Sequence, residues 1–119
     1  MKVINIKEKL SQFDDFWNPR IAGRLNGQLV KLAKFKGEFI WHKHDHEDEM
    51  FLVITGEMKM EFENRTQIVN PGEFIIVPKG TMHKPCSDDV CEIMLFEPKT
   101  TLNTGDQKNH LTRENLSEI

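Results

Sequence analysis

The sequence predicts an antiparallel all-β domain of the sandwich or barrel type, preceded by one short helix. Two observations carry this. From about Leu29 the chain runs as short apolar segments separated by Gly, Asn and Pro, and the clearest of them alternates apolar with charged residues; a clear helical period is confined to the first twenty residues. At 119 residues the chain reads as a single domain, 1–119. It is long enough to bury about two thirds of its unfolded surface around one core, so disulfide staples are not required.

Ile6, Leu10, Phe13 and Trp17 recur at spacings of four, three and four, and Asn5 with Glu8 three residues later resembles a capping box. These predict an amphipathic N-terminal helical segment over 5–18, ended by Pro19 because the residue before proline is pushed out of helical geometry. Its apolar stripe needs cover, either from the outside of the domain or from a second subunit. The barrel is expected over about 29–98. Strands are predicted at 29–36, 38–44, 50–55 and 57–63. The last is the clearest, since Met58, Met60 and Phe62 alternate with Glu57, Lys59, Glu61 and Glu63. Asn64-Arg65 is expected to turn into a strand at 66–69, and Asn70-Pro71-Gly72 to turn into a buried strand at 74–77. Pro78-Lys79-Gly80 turns again towards His83, and 90–96 is the last strand. The polar stretch 99–119 is expected to be an arm or partly disordered tail, with a weak helical tendency over 112–119.

Sixteen basic and nineteen acidic residues give a net charge of −3 with no basic stripe, which argues against nucleic acid or an anionic membrane as partner. No apolar run could cross a bilayer and the first ten residues lack a secretory pattern, so a cytoplasmic location is expected. Cys86 and Cys91 flank Ser87-Asp88-Asp89-Val90 and could face one another across a hairpin; reduced, unliganded thiols are the expectation.

The chemistry concentrates in 42–83. His42 and His44 are two apart, so on an extended segment both imidazoles point to one face and can aim at one centre. Glu49 adds a hard oxygen and His83, after Pro78-Lys79-Gly80-Thr81-Met82, a third imidazole; such a set suits a divalent first-row metal. His46 shares the parity of the pair but lies among Asp45, Glu47 and Asp48, where a solvated loop is the simpler reading. The same acidic run lacks the glycine and ligand spacing of a calcium loop. Lys43, Lys79 and Lys84 are expected on solvated faces, and no separate acid or base is evident. Walker, dinucleotide-binding, Gly-x-Ser-x-Gly and Cys-x-x-Cys motifs are absent.

Gly37, His42, His44, Glu49 and Gly56 together resemble the first motif of the cupins, with the interval after Gly37 one residue short. Gly72, Pro78, Gly80 and His83 resemble the second, although Ser87 stands where an asparagine is often found. Trp41 to His44, Asp48 to Phe51 and Pro78 to Gly80 further resemble the small conserved-barrel branch described as mannose-6-phosphate isomerase-like. The resemblance implies a double-stranded β-helix, or jelly-roll cupin barrel, with a divalent metal ion (Fe, Mn, Ni or Zn) in its mouth held by His42, His44, Glu49 and His83. It also implies a homodimer. A metal-dependent enzyme acting on a small oxygenated metabolite, as an isomerase, dioxygenase or lyase, is expected; the alternative is a non-catalytic module that uses the ion to bind a small-molecule ligand.

Overall fold

The computed structural model describes all 119 residues. One helix, α1 (Ile6–Leu10), precedes seven strands: β1 (Arg20–Leu25), β2 (Gln28–Glu38), β3 (Glu49–Thr55), β4 (Met58–Phe62), β5 (Arg65–Val69), β6 (Phe74–Val77) and β7 (His83–Pro98). All pairings between them are antiparallel, in the order β1-β2-β7-β3-β6, with β4 joining both β5 and β7. The fold is a double-stranded β-helix with a short N-terminal helix. β7 holds it together. Its C-terminal part lies between β2 and β3, while its start pairs with β4, from Lys59↔Cys86 to Phe62↔His83, so one strand serves both layers. No helix is long and apolar enough to cross a membrane.

Alternation along the strands builds two cores. Ala33, Phe35, Phe51, Val53, Met58, Met60, Cys91, Ile93 and Leu95 fill the barrel interior, which follows from the period of two in a pleated strand. On the outside of the sheet Leu32 packs with Leu10 and Phe13, joined by Met94 and Ile54. The apolar stripe of the N-terminal segment is thus covered within the chain.

The helix is shorter than its periodicity suggests. Asn5 caps it, its Oδ1 accepting from the Glu8 N–H at 2.9 Å, but it stops at Leu10 rather than running to residue 18. Trp17 adopts φ 58°, which no helix permits. Its ring enters the barrel, stacked on Phe35 at 4.2 Å and Phe39 at 4.8 Å, and its indole N–H donates to the Lys36 carbonyl at 2.9 Å. Burial of an indole outweighs a few residues of helix.

Four further expectations are corrected. The two strands predicted at 29–36 and 38–44 are one strand, β2, followed by a segment that pairs only at the single bridge His42↔His83. β1 was not anticipated; it is the partner of β2 across a hairpin in which Asn26 (φ 51°) and Gly27 (φ 76°) are both left-handed, as a two-residue type I′ turn requires. The β4–β5 turn falls at Glu63-Asn64, one residue earlier than predicted. No hairpin separates Cys86 from Cys91: both lie on β7 as free thiols, and burial pushes the Cys91 thiol up to about 12.

The C-terminal stretch is packed rather than loose, and 112–119 is not helical. Thr101 and Thr104 are buried, Asn103 bridges the Leu111 carbonyl and the Arg113 N–H, and the chain end pairs with the start of β1, the Ile119 N–H donating to the Ile21 carbonyl at 3.0 Å and the Ile21 N–H to the Ser117 carbonyl at 2.9 Å. Its order comes from side-chain-to-backbone bonds made by Thr and Asn, which leave no apolar period to read.

Candidate metal centre

The four residues singled out from the sequence meet. One donor atom from each of His42, His44, Glu49 and His83 lies within 4.8 Å of all the others, and all four side chains are buried. Backbone pairing causes the convergence. His42 and His83 exchange both hydrogen bonds, N–H to O at 3.0 and 2.9 Å, which brings their ring centroids to 4.3 Å. His44, two residues along, keeps the same side; its carbonyl accepts from the Gly80 N–H at 2.7 Å, so the Pro78–Gly80 turn holds it. Glu49 opens β3 opposite Val77 and shares its inward side with Phe51 and Val53.

Ring orientation is fixed at two of the histidines. His42 Nδ1 lies 2.9 Å from the Ile40 carbonyl and His83 Nδ1 lies 2.8 Å from that of Thr81. A carbonyl only accepts, so each Nδ1 carries its proton and each Nε2 faces the centre as a lone pair. His44 Nε2 and His83 Nε2 stand 3.1 and 3.4 Å from Glu49 Oε1. Both ring nitrogens of His44, Oε1 of Glu49 and Nε2 of His83 are buried without a hydrogen-bond partner. Buried polar atoms rarely stay orphaned, and one unpartnered atom each from His44, Glu49 and His83 within 4.8 Å of one another fits a cation. Carboxylate oxygen with imidazole nitrogen is also a donor set that a divalent first-row metal accepts.

Electrostatics fit the same reading. Burial, reinforced by the neighbouring His83, pushes His42 down to about 4, so it is neutral at pH 7 and ready to donate. Burial disfavours the Glu49 carboxylate, yet contacts with His44 and His83 hold it well below the usual range. Burial likewise opposes a charge on His44, but Glu49 raises it.

Beside the cluster lies a cavity of about 30 Å³ to which His42 and Glu49 contribute. Two charged residues that sequence reasoning missed also line it: Lys31 of β2 and Glu97 of β7, each 2% exposed, with Nζ 3.6 Å from Oε2. Burial and the negative Glu49 raise the Glu97 carboxyl well above its ordinary range. Their positions were readable. Lys31 shares parity with Ala33 and Phe35, and Glu97 with Ile93 and Leu95, so both occupy inward positions of strands that are otherwise apolar there.

A second unanticipated contributor is the turn 102–106. The Asp106 N–H donates to the Lys43 carbonyl at 3.0 Å, and the Lys43 N–H donates to Asp106 Oδ1 at 3.1 Å, a two-point clasp on the residue between His42 and His44. Gly105 lets the chains approach: a Cβ there would run into the Lys43 carbonyl and sit 3.1 Å from the His42 ring. Gly56 has a related task, since a Cβ would lie 2.6 Å from the Val90 carbonyl of β7. His46 and His110 are exposed and outside the cluster. Lys43, Lys79 and Lys84 do not line the cavity; Lys84 instead pairs with Glu38 and Glu61 at the surface.

Comparison with known proteins agrees with the fold. The family model for the cupin domain matches residues 28–97. The crystal structure of a cupin-2 domain protein from Shewanella frigidimarina is 39% identical, with a TM-score of 0.81 over 82% of this chain and 95% of that one. Protein NMB1881 from Neisseria meningitidis is 30% identical, with a TM-score of 0.76 over 82% of this chain and all of the other. The uncharacterized protein YdbB of Bacillus subtilis (strain 168) is 34% identical over 80 residues, which is 66% of this chain and 65% of YdbB.

Proposed function

The chain belongs to the cupin family, and on that premise we propose that it is a metal-dependent enzyme acting on a small oxygenated metabolite, with the ion held by His42, His44, Glu49 and His83. The observation that carries the reading is the convergence of four buried donors within 4.8 Å, several of them without any other partner. Three neutral imidazoles and one carboxylate leave a divalent ion with one net positive charge; a six-coordinate ion (Fe, Mn or Ni) would retain two positions for ligand oxygens and act as a Lewis acid, whereas four-coordinate zinc would be closed by these residues.

The chain's own residues supply the rest. The carbonyls of Ile40 and Thr81 fix the tautomers of His42 and His83, and the Asp106 clasp fixes the segment between His42 and His44. Phe35, Phe51 and Leu95 give the cavity an apolar wall beside the site. Glu97, buried beside Glu49, lines the same cavity, and burial and Glu49 favour its protonated form.

The test is to load the apo protein with Fe, Mn, Ni or Zn in turn and screen small hydroxy, oxo and sugar acids and sugars for turnover. Metal-dependent conversion abolished by Glu49→Gln is expected. Ligands bound but unchanged in every metal form would replace the enzyme with a metal-dependent binding module.

A further inference from the structure

Lys31 and Glu97 are an unusual pair for the interior of a barrel. Two charges taken out of water are repaid only by close, fully bonded geometry. Here the ammonium and carboxylate stand 3.6 Å apart, beyond hydrogen-bonding distance, and Glu97 Oε2 is buried with no hydrogen-bond partner. An ammonium has three N–H donors to satisfy. A pair present only to support the fold would be expected to close up, or to be replaced by apolar residues like its neighbours Ala33, Phe35, Ile93 and Leu95. Both residues instead line the cavity that also exposes His42 and Glu49.

We propose that Lys31 is a substrate-binding residue, and that the site takes a small carboxylate bearing a second oxygen on the adjacent carbon, a 2-oxo or 2-hydroxy acid. The inference rests on the reading of the four-residue cluster as a metal site. Glu49 offsets one of a divalent ion's two charges and Glu97 offsets at most that of Lys31, so the loaded cavity retains at least one positive charge, which a monoanion offsets. The carboxylate lies towards the Lys31 ammonium as a charge-assisted partner, and the second oxygen lies on the side of His42 and Glu49. Apolar walls strengthen the pairing by lowering the local dielectric. The volume of about 30 Å³ accommodates about two water-sized groups, which suits the carboxylate end of such an acid. Glu97 is the positioning residue that holds the ammonium at the wall.

The experiment uses cobalt(II)-loaded protein with pyruvate and its neutral amide, pyruvamide, as probes, read by the shift of the cobalt visible spectrum. Wild type is expected to bind pyruvate at least about tenfold more tightly than pyruvamide, the effect of one buried charge pair. Lys31→Met should retain its cobalt, lose that preference and bind pyruvamide as before. Because Lys31→Met strands a buried carboxyl, the Lys31→Met/Glu97→Gln double variant is measured alongside, with folding checked by circular dichroism, and should show the same loss. Equal pyruvate affinity in wild type and the double variant would overturn the proposal, as would no pyruvate binding by cobalt-loaded wild type. Wild type that takes up no cobalt refutes the metal-site reading itself, and this inference with it.

Discussion

Two groups of buried residues around the cavity differ in how they are built. His42, His44, Glu49 and His83 come from an irregular crossing segment and from the first residues of β3 and β7, and they converge because turns and a single bridge bring them together. Lys31 and Glu97 project from β2 and the end of β7, strands paired along most of their length. The first group depends on loop-to-loop bonds: Gly80 to His44, Asp106 to Lys43, Lys79 to Asp48. The second depends on strand register. Disturbing the loops should therefore cost metal, whereas changing the strand-borne charges should cost ligand selectivity and leave the metal in place.

The largest expected effect is loss of a ligand. His42→Ala or His83→Ala should lower metal affinity by more than about 100-fold, exceeding the loss typical of outer partners, while circular dichroism still reports a folded β-protein. The rings pack edge-on against Phe39 and Phe51, but the apolar cluster of Ala, Phe, Val, Met, Ile and Leu side chains is extensive without them. Unfolding of both variants would make the cluster part of the structural core and erase the distinction between the two groups.

Acid should act next most strongly, and on the metal-free protein too. His42 is held at about 4 by burial and by His83, below the unfolded value of about 6.5. Between those values the unfolded chain carries the extra proton, so stability falls as pH falls through that window, by up to roughly 3 kcal/mol when fully developed. Urea unfolding of the apo protein at pH 7 and pH 4.5 measures it, and His42→Gln should flatten the dependence. An unchanged slope in that variant would assign the acid sensitivity elsewhere.

Gly105 separates clasp from strand. Gly105→Ala should weaken metal binding by about 10- to 100-fold, since its methyl must push Lys43 away from the neighbouring ligands. Gly72 has a similar positive φ of 82° but open space around it, so Gly72→Ala should cost only about 1 kcal/mol of stability and no metal affinity. Equal metal binding by the two variants would show that the close approach at Gly105 does not position the site. The smallest effect is expected from Asp106→Ala, which removes one exposed bond to the Lys43 N–H at 3.1 Å but keeps the backbone bond to the Lys43 carbonyl: about 1 kcal/mol or less of stability, read from the unfolding midpoint, and a smaller loss of metal affinity than in Gly105→Ala.

The same contrast explains what was legible. His42, His44, Glu49 and His83 could be found because their chemistry and spacing are distinctive, and the barrel strands because their apolar residues alternate. The helix was overextended because Phe13 and Trp17 do bury, but through tertiary contacts on two different cores rather than along one helical face. β1 escaped because Arg20, Gly23 and Arg24 break any apolar alternation in Arg20–Leu25, although Asn26-Gly27 is a strong hairpin signal. Lys31 and Glu97 escaped because a charged side chain is ordinarily read as solvent-facing; only the inward parity of each marks them. The 102–106 turn could not be read, since its value lies in contacts with Lys43 more than 60 residues away.

Elemental analysis of the freshly purified chain tests the central claim most directly. The account predicts close to one equivalent of a divalent transition metal per chain, released on acidification and absent from a His42→Ala/His83→Ala double variant. Wild-type protein that carries no metal, and binds none when offered Mn, Fe, Co, Ni or Zn at neutral pH, would contradict it.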